Sequence, residues 1–230
     1  MNYGSMLGDS FDYTKNGLLG KWWKWLLLFI SMVIFPLWMG YQWKIYQGES
    51  RAPVLNDWVG MFINGIKLTV VGIIYFLIPM IVFMVVGGAG IFMGAATDNL
   101  GAGALIGILI GLVVFFIFSL IALMALIRFA RTDNFGEAFN FSAIVAHIGK
   151  IGWVGYILAL IILWVVVGAA ALVFALVTSV ISLILALIPF VGWILALILD
   201  VILAILIGPF VGVFTTRYFT NIYDSVTAPA

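Results

Sequence analysis

From Ile151 to Leu199 the chain runs for 49 residues without one charged side chain. A helix rising about 1.5 Å per residue crosses about 30 Å of hydrocarbon in roughly 20 residues. The stretch is therefore too long for a single crossing. It is also too apolar to remain as lipid-exposed loop, because unpaired backbone groups are costly in hydrocarbon. It has to turn back inside or at the edge of a membrane. After Asp200 another 16 uncharged residues lead to Arg217, so Ile151 to Thr216 predicts three tight crossings. The expected breaks lie near Gly168 and at Ile188-Pro189-Phe190-Val191-Gly192-Trp193, where Pro and Gly interrupt the helical pattern.

The rest of the chain follows the same logic. Between Lys24 and Lys44 lie 19 uncharged residues with Pro36 as a kink, between Lys67 and Asp98 there are 30, and between Asp98 and Arg128 there are 29. Each predicts one span, giving about six in all, with five spans and one re-entrant segment as the alternative. Only 8% of residues are charged, against roughly a quarter in a soluble domain, and no polar stretch is long enough for a second domain. The expectation is an all-α, polytopic transmembrane helix bundle forming one membrane domain, residues 1–230. Its place is the cell membrane, with lipids as its surroundings. The first apolar stretch begins only at Trp25, after Asp9 and Asp12 and without a small-residue cleavage site, so it is expected to remain. Trp22, Trp23, Trp25, Trp38, Trp43, Trp58 and Trp153 flank the spans as an interfacial belt would.

Two segments match by residue type at every position: Leu7-Gly8-Asp9-Ser10-Phe11-Asp12-Tyr13-Thr14 and Phe135-Gly136-Glu137-Ala138-Phe139-Asn140-Phe141-Ser142. Each is followed by a Gly-Lys pair and an apolar span, and Arg128-Phe129 and Arg217-Tyr218 close the two halves. Residues 1–131 and 132–230 thus read as two repeats, each an amphipathic interfacial helix followed by three spans. In the second copy Phe135, Phe139, Ser142 and Ala146 fall on one helix face. Three spans per repeat would make the repeats inverted. Lys44, Arg51, Lys67, Arg128, Arg131 and Lys150 would then share one side, and Lys15, Lys21, Lys24 and Arg217 the other.

Pro53-Val54-Leu55-Asn56-Asp57-Trp58-Val59-Gly60-Met61-Phe62-Ile63-Asn64-Gly65-Ile66-Lys67, running into Ile73-Ile74-Tyr75-Phe76-Leu77-Ile78-Pro79, resembles the prokaryotic membrane family called domain of unknown function 4013. Phe135-Gly136-Glu137-Ala138-Phe139 and Ile188-Pro189-Phe190-Val191-Gly192-Trp193 are similar to it as well. In the family's acidic, Trp-rich loop only Asp57 and Trp58 match, while Val54, Leu55 and Asn56 depart from it. The resemblance implies a polytopic membrane protein common among archaea and carries no catalytic residue.

Four features stand out as candidate sites. Asp200 sits inside an apolar segment, where burying a charge costs several kcal/mol in order of magnitude, so it is a candidate intramembrane functional acid with Lys67, Arg128 or a neighbouring subunit as expected partner. Gly103, Gly107 and Gly111 recur every fourth residue and form a candidate helix-packing groove. Asp57 and Trp58 mark the family-motif loop. His147 reads as a headgroup contact on the interfacial helix.

Several function classes fall away. A net charge of +1 with scattered basic residues excludes a nucleic-acid partner, and no cysteine and one histidine exclude thiolate chemistry and a histidine metal site. The glycines from Gly87 to Gly103 lack the Lys-Ser/Thr ending of a phosphate loop. No nucleophile and base are grouped, so an enzyme is not expected, and no cofactor is implied. What remains is a non-catalytic module that packs with itself as a homo-oligomer, with lipids or with a partner protein. The alternative is a secondary transporter or channel-like protein for a small or lipid-like solute.

Overall fold

The computed structural model describes residues 1–96 and 100–226. Asp98, which separates the second and third charge-free runs, lies outside them. Among the described residues there is no strand. The chain forms α1 (Tyr3–Leu18), α2 (Trp22–Val33), α3 (Phe35–Tyr46), α4 (Trp58–Ala96), α5 (Leu100–Thr132), a 3-10 helix (Phe135–Phe139), α6 (Phe141–Ile151), α7 (Trp153–Ala186) and α8 (Gly192–Asp224). It divides into two compact units, one of residues 1–65 with 148–230 and one of residues 66–147.

Among the described residues four helices are long and apolar enough to cross a membrane: Trp58–Gly90, Leu105–Thr132, Trp153–Ala186 and Gly192–Asp224, with a fifth if the bent α2–α3 pair counts as one. Only 6 to 22% of their most apolar windows is buried inside the chain. Helices apolar all round and uncovered by protein need hydrocarbon as their surroundings, so this is a helical membrane protein.

Two expectations about the spans are corrected. Ile151 to Thr216 carries two long helices instead of three crossings, because Gly168 lies inside α7 and does not break it. In hydrocarbon the intrahelical bonds are the backbone's main resource, so a lone glycine does not end a helix. The turn falls at Leu187–Val191, where Phe190 takes a positive φ of 65°. There Gly192 passes so close to α7 that an added Cβ would sit 2.0 Å from the Leu185 carbonyl oxygen.

Around Pro36 the expected kinked span is instead two helices bent by 119° at a break. Ile34 sits between them, and Pro36, with no amide hydrogen to donate, lies in the first turn of α3. The two ends of the pair then meet. Lys24 Nζ, near the start of α2, donates to the Ala52 carbonyl at 3.1 Å, and Arg217 donates to the Glu49 carbonyl at 3.2 Å. This overturns the expected split of Lys44 and Arg51 from Lys24 and Arg217, because the chain doubles back between them.

In the first unit the core gathers where α1, α2 and α3 pack on α8. Trp25, Tyr41, Ile45, Met61 and Val213 are buried, and Trp25 donates its indole N–H to the Leu18 carbonyl at 2.8 Å. Trp25 and Trp43 are therefore core residues and not belt anchors, whereas Trp22 and Trp23 are each 70% exposed. In the second unit Tyr75 stacks on Phe139 at 5.7 Å and donates to the Ala138 carbonyl at 2.7 Å, which seats the 3-10 helix.

The matched segments take different local structure. The first copy lies wholly in α1, capped by the Asn2 side chain accepting from Ser5 N at 3.1 Å. The second is split, because Asn140 ends the 3-10 helix and caps α6, accepting from Ala143 N at 3.2 Å. The expected face of Phe135, Phe139, Ser142 and Ala146 is not formed as one helix, and the buried stripe of α6 is Ile144, Ile148 and Ile151.

Candidate functional site

The α7–α8 hairpin places Asp200 two turns into α8, about 12 Å from its first residue at a rise of roughly 1.5 Å per residue. The side chain is exposed and lines an open groove of about 520 Å³ with Phe29, Met32, Phe174, Thr178 and Ile207. Among the described residues it makes no hydrogen bond or ion pair. The expected counter-charges are engaged elsewhere: Lys67 pairs with Asp133 at 3.1 Å and Arg128 pairs with Glu137.

The groove opens into a larger trough of about 1040 Å³ that shares Met32, Phe174, Leu203, Ile207 and Gly208 with it. Trp25, Trp38, Trp164 and Phe210 wall the trough, and the polar lining comes from Gln42 and Thr215. Gly212 is needed for its shape, since a Cβ there would meet the Trp38 ring at 2.7 Å and Met32 Cε at 2.6 Å.

Two glycines of the stripe, Gly107 and Gly111, lie against a helix of the same chain. A Cβ on Gly107 would lie 2.8 Å from Gly87 Cα, and one on Gly111 would lie 2.2 Å from the Phe83 ring. The bare backbone of α5 thus packs on α4. The packing of Gly103 lies outside the described residues.

Asp57 and Trp58 start α4. The Asp57 carboxylate accepts from Gly60 N at 2.9 Å as an N-cap, and Trp58 packs on the first unit's core. The loop before them is tied by side chains that sequence reasoning did not single out. The carbonyls of Glu49, Arg51, Ala52 and Pro53 accept from Arg217, Tyr13, Lys24 and Tyr41 in turn. Burial pushes the Tyr13 phenol up, which keeps its hydroxyl a donor. Nothing local in the sequence marks these pairings, because the donors come from α1, α2, α3 and α8.

Two acids of the matched segments each meet an arginine in the C-terminal part of a long helix. Arg217 Nε donates to Asp9 at 2.9 Å, and Asn221 donates to the same carboxylate oxygen at 2.8 Å. Arg128 donates from Nε at 2.7 Å and from Nη2 to Glu137, with Asn140 beside it at 3.4 Å. The Arg128 hydrogen bonds hold the Glu137 carboxyl below its usual range, helped by Asn140.

A carboxylate whose folded pKa is depressed stabilises the fold above its unfolded pKa and loses that contribution as pH falls through the folded value. An acid titration of the detergent-solubilised chain should therefore show a stability loss below about pH 4. The Glu137→Gln variant should lack this component, and identical acid limbs would contradict the pairing.

No group of three or more His, Cys, Asp or Glu able to hold a metal occurs among the described residues. No curated protein matches the chain. No solved structure matches it either. A family profile described as a protein of unknown function, DUF4013, matches residues 25–180, from α2 through most of α7. The match includes the Asp57-Trp58 loop, the glycine stripe and the Phe135–Phe139 segment, and it ends before the Ile188–Trp193 turn and Asp200. With about two thirds of its length matched, the chain belongs to the DUF4013 family.

Proposed function

We propose that the chain is a non-catalytic module of the cell membrane that packs with lipid and holds a lipid chain in the trough between α2, α3, α7 and α8. The observation that carries this reading is the trough itself: about 1040 Å³, walled mostly by aromatic and aliphatic side chains. Beyond Gln42 and Thr215, such a lining offers a hydrophilic solute little in place of its hydration water. An acyl chain loses nothing by entering it.

The two-repeat reading is supported by the ion pairs, since Asp9 and Glu137, equivalent in the matched segments, both bind an arginine in the C-terminal part of a long helix. Self-association as a homo-oligomer would cover some of the apolar surface on α5, α7 and α8 that the chain leaves bare.

The test is native mass spectrometry of the chain released from phosphatidylcholine nanodiscs. A Cβ on Gly208 would find only Met32 Sδ, at 3.5 Å, so a Gly208→Phe side chain can fill the trough. The parent is expected to carry phospholipid and the Gly208→Phe variant to shed it. Equal retention, or none in either, contradicts the reading. Asp200 favours transport as a second reading, which a solute flux in proteoliposomes lost in Asp200→Asn would establish.

A further inference from the structure

Asp200 and the trough are parts of one surface. Counting along α8, Thr215 at one end and Asp200 at the other are separated by about 22 Å at roughly 1.5 Å per residue. Over that length the lining is apolar until the groove around Asp200 is reached. There the polar groups are the Asp200 carboxylate and the Thr178 hydroxyl. Thr178 spends its proton on the Phe174 carbonyl at 2.8 Å, so what its oxygen offers the groove is lone pairs. The carboxylate oxygens of Asp200 offer lone pairs as well. Both groups call for a donor, and a carboxylate in hydrocarbon calls for positive charge.

We propose that the trough takes a single cationic amphiphile, its ammonium group set on Asp200 and Thr178 and its aliphatic chain laid along Phe174, Ile207 and Phe210. The proposal rests on the lipid-holding reading and adds headgroup selectivity to it. A second copy of the chain would have to bring a buried cation of its own to the same place. The cations of α7 and α8 are confined to Arg217, which is already bound to Asp9. An anionic amphiphile would meet like charge, and a neutral one would leave the carboxylate without a counter-charge.

The experiment offers the full chain in phosphatidylcholine nanodiscs equimolar dodecylammonium and dodecanol, which share a chain and differ in headgroup, and reads the adducts by native mass spectrometry. The parent should retain one dodecylammonium per chain, favoured about tenfold over dodecanol. Asp200→Asn should bring the two to parity, and Asp200→Glu should restore the preference.

Equal retention by the parent, retention of neither, or an adduct-free dimer would each overturn the proposal. Dodecyl sulfate bound as well as dodecylammonium would do so too. Failure here with phospholipid still lost in Gly208→Phe would sink the headgroup selectivity and leave the lipid-holding reading standing. Because the parent's own preference decides the matter, a poorly folded variant does not spare it.

Discussion

Gly40→Ala is expected to be among the most damaging single substitutions in the chain. α3 and α4 cross with their backbones in contact: a Cβ on Gly40 would lie 1.8 Å from the Met61 carbonyl oxygen, and one on Gly65 would lie 1.7 Å from that of Pro36. Both obstacles are backbone, so no side-chain rotation relieves them and the helices must separate. Overpacking of this kind costs typically about 1–3 kcal/mol and occasionally more, and the absence of a soft neighbour puts Gly40→Ala at the upper end. Gly72, also on α4, has open space around it. Gly72→Ala should therefore be neutral or stabilising by up to about 1 kcal/mol, from the better helix propensity of alanine. Thermal unfolding in one detergent compares the two. Equal midpoints would mean that α3 and α4 do not cross at Gly40.

Loss of Arg217 should be the second large effect. Its side chain is only 14% exposed and joins three parts of the first unit. It binds Asp9 on α1, donates to the Glu49 carbonyl in the loop, and lies 4.6 Å from the centre of the Tyr13 ring. Hydrogen bonds to a charged group are worth about 1.5–3 kcal/mol each when desolvated. Asp9 is 52% exposed, so solvent screens its share. Arg217→Ala is expected to cost about 2–3 kcal/mol in total, mostly from the loop contact and the lost packing on Tyr13. Arg217→Lys should recover little, since one ammonium on a thin stem cannot reproduce the fork that spans Asp9 and Glu49. Trypsin cleavage at Lys15 reports release of α1, and it should quicken markedly in Arg217→Ala. Unchanged cleavage would contradict the clasp.

The long helices were the most legible part of the sequence, because absence of charge over 30 residues leaves a chain in lipid little choice. Their number was less so. Gly168 resembles a break on paper, but a helix in hydrocarbon keeps its internal hydrogen bonds through a lone glycine. At Pro36 the interruption was visible and its angle was not. That angle depends on Lys24, Tyr13 and Tyr41 fastening a loop that lies 12 to 38 residues away from them. The tryptophans mislead for a similar reason: Trp22 and Trp25 belong to one short run, yet one faces outward and the other fills the core.

At the candidate site, Asp200 was evident from sequence as an acid in an apolar run. That its expected counter-charges are taken by Asp133 and Glu137 could be learned only from the fold. The trough has no local signature, since its walls come from helices more than a hundred residues apart. The glycine stripe suggested a close helix contact without naming the neighbour, and Gly107 and Gly111 lie against α4 of the same chain.

The membrane fold requires the bare apolar flanks of α5, α7 and α8 to face hydrocarbon. Single cysteines at Leu109, Val173 and Leu197, all exposed on those helices, can carry a nitroxide in this cysteine-free chain. In phosphatidylcholine bilayers the labels should collide freely with oxygen, which concentrates in acyl chains, and hardly at all with a water-soluble nickel chelate. Ready collision with the chelate at all three positions would show these faces in water and contradict the membrane fold outright.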